Sequence, residues 1–284
     1  MAVDRAVSAV VPEGGMAPGV ASLGSVLRWA LRQQRRATVG WAVAVAAVSG
    51  IYASFFDVID ASEMEALVEG MPEALVTALG YDRLGSAAGF LESTVYGLLG
   101  PILILVFGIG YGARVLAGAE EDGSLELELT SAVGRRQVLL ERYAALVVQL
   151  AILAVAVTAV VLPLVAALDM DVAVGGVLAG GLGLFLLALA VSSVGFAAGA
   201  VTGRRVIGLA VGAGVAVAGY LADALAGLLE DGRWLEAVSP FAWYLSGDPL
   251  VEGIDVAGFG VLLAVALVAL GVAVVVFDRR DLGT

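Results

Sequence analysis

The chain has 284 residues, 61% of them hydrophobic, and a formal net charge of -12. It contains no Cys and no His, and all fifteen of its basic residues are Arg. These absences exclude a disulfide framework, a thiolate or imidazole metal site, a Ser-His-Asp triad, a Schiff-base lysine and a Walker A loop, which needs its lysine on the phosphates.

A mean hydropathy of +1.00 puts the apolar content above that of a soluble globular domain. A bilayer core of about 30 Å is crossed by a helix of about 20 apolar residues. Continuous apolar runs, rather than alternating short ones, predict helices. Residues 1–24 carry Pro12, Gly14, Gly15, Pro18 and Gly19 without a long apolar core, which predicts a disordered tail rather than a signal peptide. Ser22 to Arg36 reads as an amphipathic helix: Leu23, Val26, Leu27, Ala30 and Leu31 share one face, and Arg28, Arg32, Arg35 and Arg36 supply a cationic one, with Trp29 at its edge. Such a helix before a span is expected to lie along the inner leaflet.

Uncharged runs then predict six spans, at about 37–56, 93–115, 143–168, 174–202, 206–229 and 256–277. Pro101 and Pro163 fall inside spans and predict kinks. Gly108/Gly112, Gly176/Gly180, Gly195/Gly199 and Gly208/Gly212 have the spacing that lets helices approach closely in lipid, and read as packing positions. Arg83 and Arg233 fall between spans on one side, and the other thirteen Arg alternate to the opposite side. By the positive-inside rule both termini are expected in the cytoplasm. The outer loops are then 57–92, where Pro72 to Leu79 reads as a short helix closed by Gly80, and 230–255, whose Trp234, Phe241, Trp243 and Tyr244 suit an interfacial belt. The expected fold class is all-α: a polytopic membrane protein forming one six-helix domain over residues 25–280.

Energy coupling is constrained by what the spans lack. Proton-driven carriers place ionisable groups near mid-membrane. The one acid inside these spans is Asp223, about 25 Å along the fifth and so close to the outer surface. The lack of acid-base groups in the spans argues against an intramembrane enzyme.

The cytoplasmic loop 114–142 carries Glu120-Glu121-Asp122-Gly123-Ser124-Leu125-Glu126-Leu127 and then Gly134-Arg135-Arg136, with Ala132-Val133 where a Pro-Val pair is usual. This pattern resembles the cytoplasmic signature of type-2 ATP-binding-cassette (ABC) exporter permeases. Leu31 to Trp41, Met71 to Leu75 with Gly80, and Ser239 to Gly253 resemble other parts of that family, so the resemblance spans most of residues 25–280. It implies a transmembrane subunit of an exporter that is not itself an enzyme. Two copies, or one copy with a related permease, would pair with two ABC ATPase subunits in a prokaryotic plasma membrane. ATP and Mg would be bound by those partners, and this chain would hold no cofactor or metal and take no nucleic acid partner. The resemblance makes the acidic loop, with Arg135 and Arg136, an ATPase-coupling element. It makes Arg28, Trp29, Arg32, Arg35 and Arg36 part of a connecting helix. A hydrophobic or amphipathic drug, antibiotic or lipid is the implied cargo. The alternatives are an ATP-independent channel or carrier, which would act without an ATPase, and a non-transporting scaffold or sensor subunit, which would show no substrate-stimulated ATP hydrolysis.

Overall fold

The computed structural model describes residues 24–57, 70–72, 76, 86–125, 134–229 and 232–280. Six helices in it are long and apolar enough to cross a membrane, and the described residues contain no strand. They are α1 (Ser25–Ser54), α2 (Ala87–Glu121), α3 (Arg135–Ala167), α4 (Val174–Thr202), α5 (Arg205–Ala226) and, after two short helices, α8 (Val256–Arg279). The short ones are α6 (Arg233–Glu236) and α7 (Pro240–Leu245). The chain is therefore a multi-pass membrane protein. One end of the bundle gathers most Arg residues.

Helix α4 is the hub and packs against α2, α3, α5, α7 and α8. It is apolar on every side, so it can be stable only when surrounded. Hydrophobicity does not drive helices together inside lipid; close packing does. Here that packing is backbone on backbone. A Cβ placed on Gly195 would stand 3.0 Å from the Gly208 carbonyl oxygen and 3.3 Å from the Gly212 Cα. A Cβ on Gly208 would stand 2.8 Å from the Gly195 carbonyl oxygen. The Gly195/Gly199 and Gly208/Gly212 pairs thus face one another. Gly108 and Gly112 seat α2 on Ser192 of α4, and Gly176 and Gly180 take Leu250 and Tyr96. All four glycine pairs are used inside the chain.

Helix ends differ from the boundaries that uncharged runs suggest. Gly24, placed in the tail by the sequence, is the N-cap of α1, and residues 1–23 lie outside the described residues. The amphipathic segment is not a separate helix on the leaflet: from Ser25 it runs unbroken into the first span. Its buried face, Ala30, Thr38, Val45, Ser49 and Ala53, packs along α3, so tertiary contact continues through the charged turn. Helix α2 begins at Ala87, inside the expected outer loop, and extends to Glu121, inside the expected coupling loop. Residues 114–121 of that loop are thus part of α2, and residues 126–133 lie outside the described ones. Its far end behaves as expected: Gly134 is the N-cap and Arg135 opens α3. In the second outer loop, Phe241 and Tyr244 are buried against the bundle rather than facing an interface, while Trp234 is exposed. Of the helix expected over Pro72 to Leu79, one described hydrogen bond remains, from the Val76 N–H to the Pro72 carbonyl; its other residues lie outside the described ones.

Pro101 marks a real irregularity. It has no N–H and its ring crowds the carbonyl four residues back. The preceding stretch, Glu92–Leu99, is π-helical, with the Gly100 N–H bonded to the Val95 carbonyl. A second π turn, Arg114–Gly118, lies near the other end of α2. Pro163 is instead accommodated inside continuous α3.

The α4–α5 seam gives the first prediction. Gly195→Val forces a side chain into a backbone carbonyl that cannot yield, and overpacking of this kind costs about 1–3 kcal/mol. Its thermal melting in detergent should fall by several degrees. Gly214→Val, at a position with open space around it, should melt like the parent.

Candidate functional site

Two features carry functional chemistry: a cluster of charges at the Arg-rich end and an apolar cleft between α2 and α5. In the cluster, α2 ends on Glu120 and Glu121. The Glu120 carboxylate pairs with the Arg280 guanidinium, just past α8. Arg280 also donates to the Ala200 carbonyl of α4 at 2.8 Å. Glu121 accepts from the Arg205 backbone N–H, the first residue of α5, at 2.8 Å. That N–H is one of the orphan donors at a helix start, where a carboxylate is favoured. Gly203, in the left-handed region at φ 68, makes the α4–α5 turn directly beside this pair: a Cβ there would lie 2.8 Å from Glu120 Oε1.

Helix α3 adds a second set of ties. Arg136 pairs with Asp278, and Arg135 donates to the Arg280 carbonyl at 3.2 Å. Glu141, buried, caps the start of α1 by accepting from the Gly24 and Leu27 N–H groups at 2.8 and 3.0 Å. Gln137 holds that carboxylate at 2.8 Å. Arg142, also buried, donates to the Val115 carbonyl inside the π turn of α2.

The sequence-derived residues divide accordingly. Glu120 and Glu121 stand on the last turn of a helix and hold their own chain together. Asp122 is exposed, Gly123 takes φ 71, Ser124 bonds back to the Ala119 carbonyl at 3.2 Å, and Leu125 is buried. Glu126 and Leu127 lie outside the described residues. Arg135 and Arg136 are exposed at the start of α3, and Arg28, Trp29, Arg32, Arg35 and Arg36 are exposed along α1. Asp223 is half-buried near the far end of α5, with Glu236 of α6 the neighbouring charge. Arg142 and Arg280 were legible only as topogenic charge and Glu141 was missed; no local pattern marks them as ties between distant helices.

The cleft has a volume of about 500 Å³ and almost no polar lining. Leu105 and Ile109 of α2, Leu209 and Ala213 of α5, and Tyr220 with Phe241 form its walls. Tyr220 meets Phe241 edge-on, ring centroids 5.5 Å apart, and closes it toward the acid-rich end. Toward the Arg-rich end it passes the contact of Gly212 with Ile109 and reaches Leu209. Such a cleft suits an apolar molecule or group, and its lining holds no carboxylate or basic side chain.

A family model described as "Multidrug efflux system permease Rv1217c, C-terminal domain" matches residues 23–278. A search of curated proteins returned no match. The match begins beside the N-cap of α1 and ends within the last turn of α8, so it takes in the six long helices and the cleft; Arg280 of the charge cluster lies just beyond it. The chain belongs to the family of the multidrug efflux system permease Rv1217c C-terminal domain.

Proposed function

We propose that this chain is the transmembrane subunit of an ABC exporter in a prokaryotic plasma membrane. It forms the path for an apolar or amphipathic compound and draws its energy from two separate ATPase subunits that bind ATP and Mg. A second permease, identical or related, completes the complex. The observation that carries this reading is the placement of the acidic Gly-Ser-Leu segment. It follows directly from α2, whose own wall lines the apolar cleft. A push on that segment is therefore delivered to the helix beside the path. The thirteen-Arg side is the cytoplasmic one on this reading, which puts the segment where an ATPase can reach it.

Energy from outside the chain is also what the side chains favour. The cleft is lined by no carboxylate or basic side chain that could couple an ion to cargo; its one ionisable group is the Tyr220 phenol. The Arg-rich end, by contrast, has exposed charge on α1, at Asp122 and at the start of α3 for a partner to read.

The direct test is export of a hydrophobic dye from vesicles holding the chain with its co-expressed ATPase. Accumulation should require hydrolysable ATP. Transport by the chain alone, driven by an ion gradient and indifferent to ATP, would contradict the proposal. Two substitutions sharpen it. Ala213→Trp fills the cleft and should lower dye transport about tenfold or more, the scale of a strong steric penalty, with basal ATP hydrolysis retained. Unchanged transport would remove the cleft from the path. Asp122→Arg reverses an exposed charge next to Glu120 and Glu121 without altering either. It should weaken ATPase association about tenfold, since like charges across an interface cost several kcal/mol, while leaving the melting of the isolated chain unchanged.

A further inference from the structure

Two adjacent carboxylates at the end of α2 reach two different neighbours: Glu120 the Arg280 guanidinium and Glu121 the Arg205 N–H. Successive residues on a helix are about 100° apart. Both contacts can therefore form together in only one rotation of the helix end. That rotation is fixed by the turn just before it, Arg114–Gly118, which is π-helical. A π turn closes five residues apart where an α turn closes four, so it holds one residue more. Winding it into α form would turn everything beyond it by about 100° and shift it by about 1.5 Å. Both acids would leave their partners.

A π turn is rare and needs support from its surroundings. Here the support comes from another helix. The buried Arg142 of α3 donates to the Val115 carbonyl within the turn. A hydrogen bond from a charged donor to a helix carbonyl competes with the ordinary ladder and is stronger than a neutral one. The turn is also packed from the α5 side, where Gly118 has the Arg205 side chain close by.

The geometry points to Arg142 as a positioning residue. By holding the Val115 carbonyl it keeps the last turns of α2 in π register, and that register aims Glu120 at Arg280 and Glu121 at Arg205. The resulting latch gathers the ends of α2, α4, α5 and α8. A force on the segment after Glu121 that broke the Arg142 contact would let the turn rewind, swing both acids away and free α5 and α8. This last step rests on the ATPase-coupled reading above; the register itself does not, and it can be tested without an ATPase.

The chain has no native Cys, so engineered pairs report without background. A Glu120→Cys/Arg280→Cys chain in lipid vesicles is treated with a short bifunctional thiosulfonate. Cross-linking should slow at least about tenfold when Arg142→Met is added, the worth of one hydrogen bond to a charged group. Arg142→Lys, which keeps a donor, should fall between. A Phe56→Cys/Phe90→Cys pair, at rings 5.5 Å apart near the other end, should be indifferent to Arg142. The decisive arm deletes Ala117. Removing one residue from the π turn leaves an α turn with the acids in their original rotation. In the deletion chain, cross-linking at 120/280 should recover and no longer respond to Arg142→Met. An unchanged rate in Arg142→Met alone overturns the proposal. So does a loss that the deletion fails to restore, including a general loss at both pairs.

Discussion

The contact on which the bundle depends is the backbone-to-backbone seam of α4 and α5 at Gly195, Gly208 and Gly212. Lipid offers no hydrophobic reward for bringing two apolar helices together, so geometry must come from van der Waals contact that only small residues permit. Once α5 is held there, its remaining course follows. Gly212 abuts Ile109 of α2, and Gly219 lies against Pro240 of α7. Between those two contacts α2 and α5 present Ala213, Ala216 and Val217 to Leu105 and Val106, and the space between them stays open. The cleft runs along this stretch of α5 and continues past both contacts, to Leu209 on one side and Leu221 on the other.

Polar chemistry is arranged by the same rule from the other side. A charge in the apolar interior is expensive, so the ion pairs gather where the helices end. Two neutral pairs enter the bundle. Thr38 bonds to Gln149 at 2.9 Å between α1 and α3, and the Tyr143 and Ser193 hydroxyls lie 2.8 Å apart between α3 and α4. Glu141 and Arg142 stand side by side at the boundary between these zones. One ties α3 to the start of α1, the other to the π turn of α2. Two consecutive residues on α3 therefore tie it to α1 and to α2 where the apolar interior gives way to charge.

The six spans and the glycine positions were legible in the sequence because each is a local pattern: an uncharged run, or two glycines four apart. The ends of the helices were not. The expected second span ends at about residue 115, yet α2 continues to Glu121 because its two acids are satisfied by Arg280 and Arg205, from positions 160 and 84 residues away. Uncharged runs likewise separate Arg28–Arg36 from the first span, although packing along α3 carries α1 straight through them. Phe241 and Tyr244 read as interfacial aromatics because composition cannot tell which face of a six-residue helix is covered. Pro101 predicted only a kink, as did Pro163, and a π stretch precedes the first alone. The second π stretch has no proline, and its apparent cause is a side chain on another helix, so no reading of residues 114–118 alone could have found it.

The placement of the two π stretches has a mechanical consequence. They lie at Glu92–Leu99 and Arg114–Gly118, and the α-helical piece between them, Gly100–Ala113, supplies most of the α2 wall of the cleft. A straight α-helix resists twisting because every residue is bonded to the next turn. A segment bracketed by two wider turns can rotate as a unit if one turn gains a residue while the other gives one up. Leu105 and Ile109 would then move relative to Leu209 and Ala213 without unfolding either helix. The proline at the head of that segment keeps the first stretch from closing as an ordinary α turn, since Pro101 cannot donate the bond it would need. The second has no such chemical lock. It is held by a hydrogen bond from Arg142 that can break and re-form, which makes the Arg-rich end the adjustable end of the segment.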